Sequence, residues 1–226
     1  MCFSAEMDLV AGTLITAVGV DALRHVKRRD QLALATLPLA FGAHQLVETL
    51  VWWQLEGHVS DSIGDVATWT YLLIAIIIVP ILVPYAFLRL GTGRSRLLDR
   101  AFVGAGVIAA ALGGIGMADG VSAEIDHHHI AYSIGAPMGE LAFLAYVVAA
   151  CAPGFASRAT GLQWFAALNL VVVALLVWID QTAVVSLWCL WAAITSVLLN
   201  LWIRGVITGP ADALFEASGT RQERRS

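Results

Sequence analysis

Seven apolar stretches run through this chain, separated by short polar linkers. They cover about residues 7–24, 31–54, 66–89, 98–118, 137–153, 160–179 and 183–203. Each is close to the roughly 20 residues a helix needs to cross a bilayer. The pattern predicts an all-α, seven-transmembrane-helix bundle over residues 1–207, followed by a polar tail from 208 to 226. The third stretch carries Pro80 and Pro84 in IVPILVPY, and the fifth is short, ending at Pro153-Gly154. A proline inside a helix removes a backbone N–H and kinks the rod, so neighbouring helices must satisfy the freed carbonyls. The fourth stretch is rich in small residues (Gly104, Gly106, Ala109, Ala110, Gly113, Gly114), which suit close helix–helix contact. No internal repeat points to a transporter built from inverted halves.

Charge gives these spans a direction. Arg24, Lys27, Arg28 and Arg29 follow the first stretch, and Arg89, Arg94, Arg96 and Arg100 follow the third. Arg158 follows the fifth, and Arg204, Arg221, Arg224 and Arg225 follow the seventh. These account for all 13 Lys and Arg residues. Basic linkers stay in the cytoplasm, so the N-terminus is expected outside and the C-terminus inside, in the plasma membrane. Trp52, Trp53, Trp69 and Trp178 fall near the expected outer boundary and Trp202 near the inner one. Trp164, Trp188 and Trp191 lie deeper and are read as packing residues.

Composition agrees. Apolar residues make up 59% of the chain, against roughly 45–50% in soluble domains. The basic residues are dispersed over linker ends rather than gathered on one face, which argues against nucleic-acid binding. The expected partners are the lipid bilayer and, through the basic tail, a protein or anionic lipid. Cys2, Cys151 and Cys189 are odd in number and divided between the two sides, so no disulfide framework is expected. Glu6 and Asp8 stand where a signal peptide would be basic, so no cleavable signal is expected.

The outer side has no Lys or Arg but holds most of the acids and His44, His58, His127, His128 and His129. Such a surface invites a cation. His44 and Glu48, in FGAHQLVETLVWW, are four residues apart and share one helical face in the outer half of the second span, flanked by Gln45 and Trp52. Intramembrane ionisable groups usually face a partner or a cavity. An imidazole and a carboxylate one turn apart suit a divalent Zn, Mn or Fe ion; they equally suit a hydrogen-bonded pair that locks the bundle. The second feature is Asp126-His127-His128-His129 in the loop between the fourth and fifth spans. In extended backbone His127 and His129 share a face, with Asp126 or Glu124 as orienters. The expected metal ligands are therefore His44, Glu48, His127 and His129, with Glu48 or Asp180 as candidate general base on metal-bound water. Glu140 suits the start of a helix in any case. A free N-terminal Cys2 would be a chelating pair, and Ser4 and Ser133 are possible hydroxyl donors. Asp21 is expected to pair with Arg24 or Arg28, and Asn169 and Asn200 to bond between helices.

The opening Met1-Cys2-Phe3-Ser4-Ala5, the block Phe41–Trp53 and the block LWCLWAAITSVLL (Leu187–Leu199) together resemble a family of uncharacterised prokaryotic multi-pass membrane proteins. That resemblance touches spans one, two and seven, and implies a fold and a membrane location without a substrate. A rhodopsin reading fails, because the only lysine is Lys27, in an inner linker. Seven-span metal-dependent lipid hydrolases share the residue types but no matching motif, so they are an analogy only. Three functions remain open: a membrane metalloprotein, with metal-dependent hydrolysis as its candidate chemistry; a non-catalytic pH- or cation-responsive sensor or accessory subunit, since histidines titrate near neutrality; and a haem-binding variant with His44 and a loop histidine as axial ligands.

Overall fold

A computed structural model describes residues 4–126, 129–135, 138–179 and 184–206, without the side chains of 176, 177, 179 and 184–190. The first rod is α1 (Ala5–Arg24), capped by Ser4, whose hydroxyl accepts the Met7 N–H at 3.4 Å. A 3₁₀ turn (Arg29–Gln31), α2 (Leu32–Ala35) and α3 (Leu37–Leu55) form the second. Pro38 sits at the start of α3, where its missing N–H costs no helical bond. The third rod joins α4 (Asp61–Leu72), a π-helical stretch (Leu73–Ile78) and α5 (Val79–Leu90). Then follow α6 (Arg96–Ala118), strands β1 (Val121–Asp126) and β2 (His129–Ile134), α7 (Gly139–Ala156), α8 (Thr160–Ile179) and α9 (Val184–Arg204).

Among the described residues, four of these rods are long and apolar enough to cross a membrane: Arg29–Leu55, Asp61–Leu90, Arg96–Ala118 and Gly139–Ala156. They mark the chain as a membrane protein. Leu14, Val66, Ile108, Ile115 and Leu144 face outward and are exposed, the placement expected where the solvent is lipid. The polar side chains Asp8, Gln45, Glu48, Thr49 and Asn169 are buried.

The rods reverse direction regularly, and two clusters mark their ends. One gathers Ala22, Leu34, Phe87, Leu90, Leu162 and Trp202, from the end of α1, α2, the end of α5, the start of α8 and the end of α9. At that end Asp21 accepts from Asn200 Nδ2 (3.0 Å) and Arg204 Nη1 (3.3 Å). The α5–α6 and α7–α8 linkers are stitched together there by Arg158 N–H to Thr92 O (2.8 Å) and Arg94 N–H to Ala156 O (3.2 Å). The opposite end gathers Ala5, Val51, Trp52, Ala67 and Ile130. The linkers rich in arginine thus share one end of the bundle.

Glycines set the closest crossings. A Cβ on Gly12 would lie 2.9 Å from the Leu46 backbone, on Gly19 2.6 Å from the Leu39 N, and on Gly42 2.6 Å from the Thr16 N. These contacts fix α1 antiparallel against α3. Between α5 and α6, a Cβ on Gly106 would lie 2.0 Å from the Pro80 carbonyl oxygen. That carbonyl is the one Pro84, four residues on, has no N–H to bond. Close approach of α6 supplies it with a C–H neighbour instead. We expect Gly106→Val to cost about 1–3 kcal/mol or more through overpacking. Gly104→Val, where the added Cβ meets nothing within 4 Å, is expected to stay within about 1 kcal/mol. Thermal unfolding of the two variants in detergent checks this; equal losses would refute the contact.

Several expectations need correction. The chain is mostly helical but not all-α. Residues 121–126 and 129–134 pair as antiparallel strands in which Val121, Ala123 and Ile125 lie opposite Ile134, Tyr132 and Ile130. Their apolar face packs on the bundle, which is why a segment with so many polar residues is ordered as strands. The third rod begins at Asp61 rather than near 66. The helix of the fifth stretch runs to Ala156, with Pro153 inside it. Gly154 beside it lets α8 pack closely there, since a Cβ on Gly154 would meet the Ala166 Cβ at 2.6 Å. Asp21 pairs with His25, Asn200 and Arg204 rather than with Arg24 or Arg28; Arg28 pairs with Asp30. Trp52 and Trp202 are core residues, and Trp164, read as packing, is 73% exposed. Asn169 does bond between helices, accepting from Trp191 Nε1 at 2.6 Å and donating to Cys151 Sγ at 3.5 Å.

Candidate polar centre between α1, α3, α4 and the hairpin

The inward face of α3 is polar for two turns. His44, Gln45, Glu48 and Thr49 are all buried, spaced three and four apart as one helical face requires. Glu48 has no solvent exposure. Its Oε2 accepts from Gln45 Nε2 at 3.1 Å, and its Oε1 takes a long hydrogen bond from Tyr132 Oη at 3.4 Å. Thr49 Oγ1 in turn donates to the Gln45 carbonyl at 3.2 Å.

Three rings close the circuit. His44 stacks on Tyr71 of α4, with centroids 3.8 Å apart and planes 21° from parallel. Tyr71 stacks on Tyr132 of β2 at 4.3 Å and 18°. The path therefore runs from His44 through Tyr71 and Tyr132 to Glu48, and returns along one turn of α3. It ties the hairpin to two helices by both stacking and a hydrogen bond.

Asp8 completes the neighbourhood. It has no exposure, and it lies one turn before Gly12, which packs on Gln45 and Leu46. Because α1 and α3 are antiparallel, Asp8 falls level with Glu48 and Thr49. Two carboxyl groups are thus buried at one height on facing helices. No Lys or Arg occurs between Asp30 and Leu88 or between Ala101 and Ser157.

The expected site residues are distributed as follows. His44 and Glu48 share a buried face, as the spacing predicts. The hairpin residue that reaches Glu48 is Tyr132. His129 is buried opposite Asp126 at the far end of β2. It lies three residues from Tyr132, about 10 Å along a strand, on the alternate face. His127, His128, Asp180 and Cys2 lie outside the described residues. Among the described residues, no three His, Cys, Asp or Glu side chains are gathered to hold a metal ion. His44 and Glu48 offer two donors of the right type; a third would have to come from elsewhere.

Sequence reasoning did not single out Asp8, Tyr71 or Tyr132. Asp8 had a signal: it sits on a face of small residues with Ala5, Ala11 and Gly12, a pattern of helix contact that should not tolerate an acid without reason. Tyr71 had none, since one aromatic in an apolar run looks like core.

No curated protein and no solved structure matches the chain. Residues 1–212 match the model of a family of unknown function, DUF6629, and the chain belongs to that family.

Proposed function

We propose that this is a seven-span plasma-membrane protein, N-terminus outside and C-terminus cytoplasmic, that responds to protons or cations without catalysis, as a sensor or accessory subunit. The observation that carries the reading is Glu48: a carboxyl group with no solvent exposure, inside an apolar bundle, that ties α3 to the hairpin by accepting from Gln45 and Tyr132. Burying an ionised carboxylate is expensive unless a cation accompanies it. Uptake or release of a proton there changes the hydrogen bond to Tyr132, and with it the attachment of the hairpin. The clustering of the arginine-bearing linkers at one end supports the orientation.

The pH dependence of thermal unfolding, compared between the native chain and Glu48→Gln, tests this. Each pK unit of coupling is worth about 1.4 kcal/mol, or roughly 3–5 °C in a chain of this size. The unfolding temperature of the native protein is expected to change with pH in a way that the Glu48→Gln profile does not. Coincident profiles would remove the proposal.

A second reading, a divalent Zn, Mn or Fe ion, keeps one observation in its favour: His44 and Glu48 sit one turn apart, level with Asp8, where no Lys or Arg stands. Elemental analysis separates the two. A stoichiometric metal, lost on combining His44→Ala with Glu48→Ala, would favour the metalloprotein; unchanged metal content in that double variant rules this site out.

A further inference from the structure

Beside the polar centre, the bundle holds a partly open cavity of about 260 Å³, with walls from α1, α3, the π-helical stretch, α5, α6, β2 and α7 to α9. We propose that this cavity is a binding site for a small, neutral, mostly apolar molecule with a single polar end, drawn from the lipid phase. Membrane and soluble interiors alike are packed with few voids larger than a water. Here the space exists because five alanines face it from four elements: Ala75, Ala109, Ala142, Ala150 and Ala192.

The lining defines the ligand. Nearly all of it is hydrocarbon, and a water molecule needs two to four polar partners to settle. Apolar cavities of this kind take apolar guests; one of about 150 Å³ holds a benzene ring, so 260 Å³ suits about ten non-hydrogen atoms. That is the size of a bicyclic aromatic or a ten-carbon terpenoid. Among the described residues, the polar side chains on its walls are His44 and Gln45 of α3 and Tyr146 and Cys151 of α7. They set the ligand's one hydroxyl or carbonyl, while the remaining surface accepts its hydrocarbon part. Cys151 is held in place by Asn169, itself bonded to Trp191.

This inference does not rest on the proton reading, since Glu48 is not part of the cavity wall. The test uses 1-naphthol as probe, measured by equilibrium dialysis against the detergent-purified full chain. The native protein is expected to bind one equivalent above the detergent blank. Ala142→Leu combined with Ala150→Leu fills the space, so it should weaken binding at least tenfold while raising the unfolding temperature. Gly104→Ala, at a position off the cavity wall where an added Cβ meets nothing within 4 Å, should bind as the native chain does. Equal binding by the native and filled proteins, or none by the native protein, overturns the proposal. So does a phospholipid extracted in one-to-one amount that the probe cannot displace, because an acyl chain would then be the occupant.

Discussion

Tyr71→Ala is expected to lower the stability of the protein by about 3–5 kcal/mol, the usual cost of deleting a buried aromatic side chain. Tyr71 has no solvent exposure, and its ring is sandwiched between His44 and Tyr132. Removing it opens a cavity and forfeits two stacking contacts, each worth about 0.5–1.5 kcal/mol beyond burial. In a chain of this size the loss corresponds to about 10 °C or more in the unfolding temperature. The hairpin should also loosen, because Tyr132 then loses its stacking partner on α4. Hydrogen exchange over residues 121–126 and 129–134 reads that directly. Tyr71→Phe keeps the ring and should preserve both the stack and the exchange protection. If Tyr71→Ala left hairpin exchange unchanged, the ring stack would not be what holds the hairpin down.

Gly42→Val is expected to be the most damaging single change on the α1–α3 interface. A Cβ at this position would stand 2.3 Å from Thr16 Oγ1 and 2.6 Å from the Thr16 N. The second contact is backbone, so no rotamer change relieves it, and the helices must part. Overpacking of this kind costs about 1–3 kcal/mol where neighbours can yield, and more where backbone blocks the way. Parting the helices also separates Asp8 from the level of Glu48, so the variant should lose any pH response along with stability. Recovery of monodisperse protein after detergent extraction is the measurement. Gly57→Ala is the control: that glycine has a positive φ of 80° but open space around it, so its cost is confined to backbone strain of about 1 kcal/mol. Native-like yield from Gly42→Val would contradict the crossing.

The helical segments were legible because long apolar runs have few alternatives in a chain this hydrophobic. The His44–Glu48 face was legible because four-residue spacing on a helix leaves no choice of side. The hairpin was not read, although its signal is present. Val121, Ala123 and Ile125 alternate with Ser122, Glu124 and Asp126, and Ile130, Tyr132 and Ile134 alternate behind them. The adjacent histidines drew attention to ligand chemistry and away from this period of two. Hence Tyr132 was overlooked as the residue that crosses to Glu48. The π-helical stretch before Pro80 was equally hidden. Proline predicts a disturbed helix, but the form the disturbance takes depends on how α6 packs against it through Gly106 and Gly113. Tryptophan positions misled for a related reason: an interfacial tryptophan and a core tryptophan at the same depth differ only in the direction they face.

Infrared difference spectroscopy across a pH step gives the most direct view of the central claim, that Glu48 exchanges a proton inside the bundle. The native protein is expected to gain the carbonyl stretch of a protonated, buried carboxyl group on acidification, and Glu48→Gln to lack that band while retaining the signals of the other acids. Identical difference spectra from the two proteins would contradict the account.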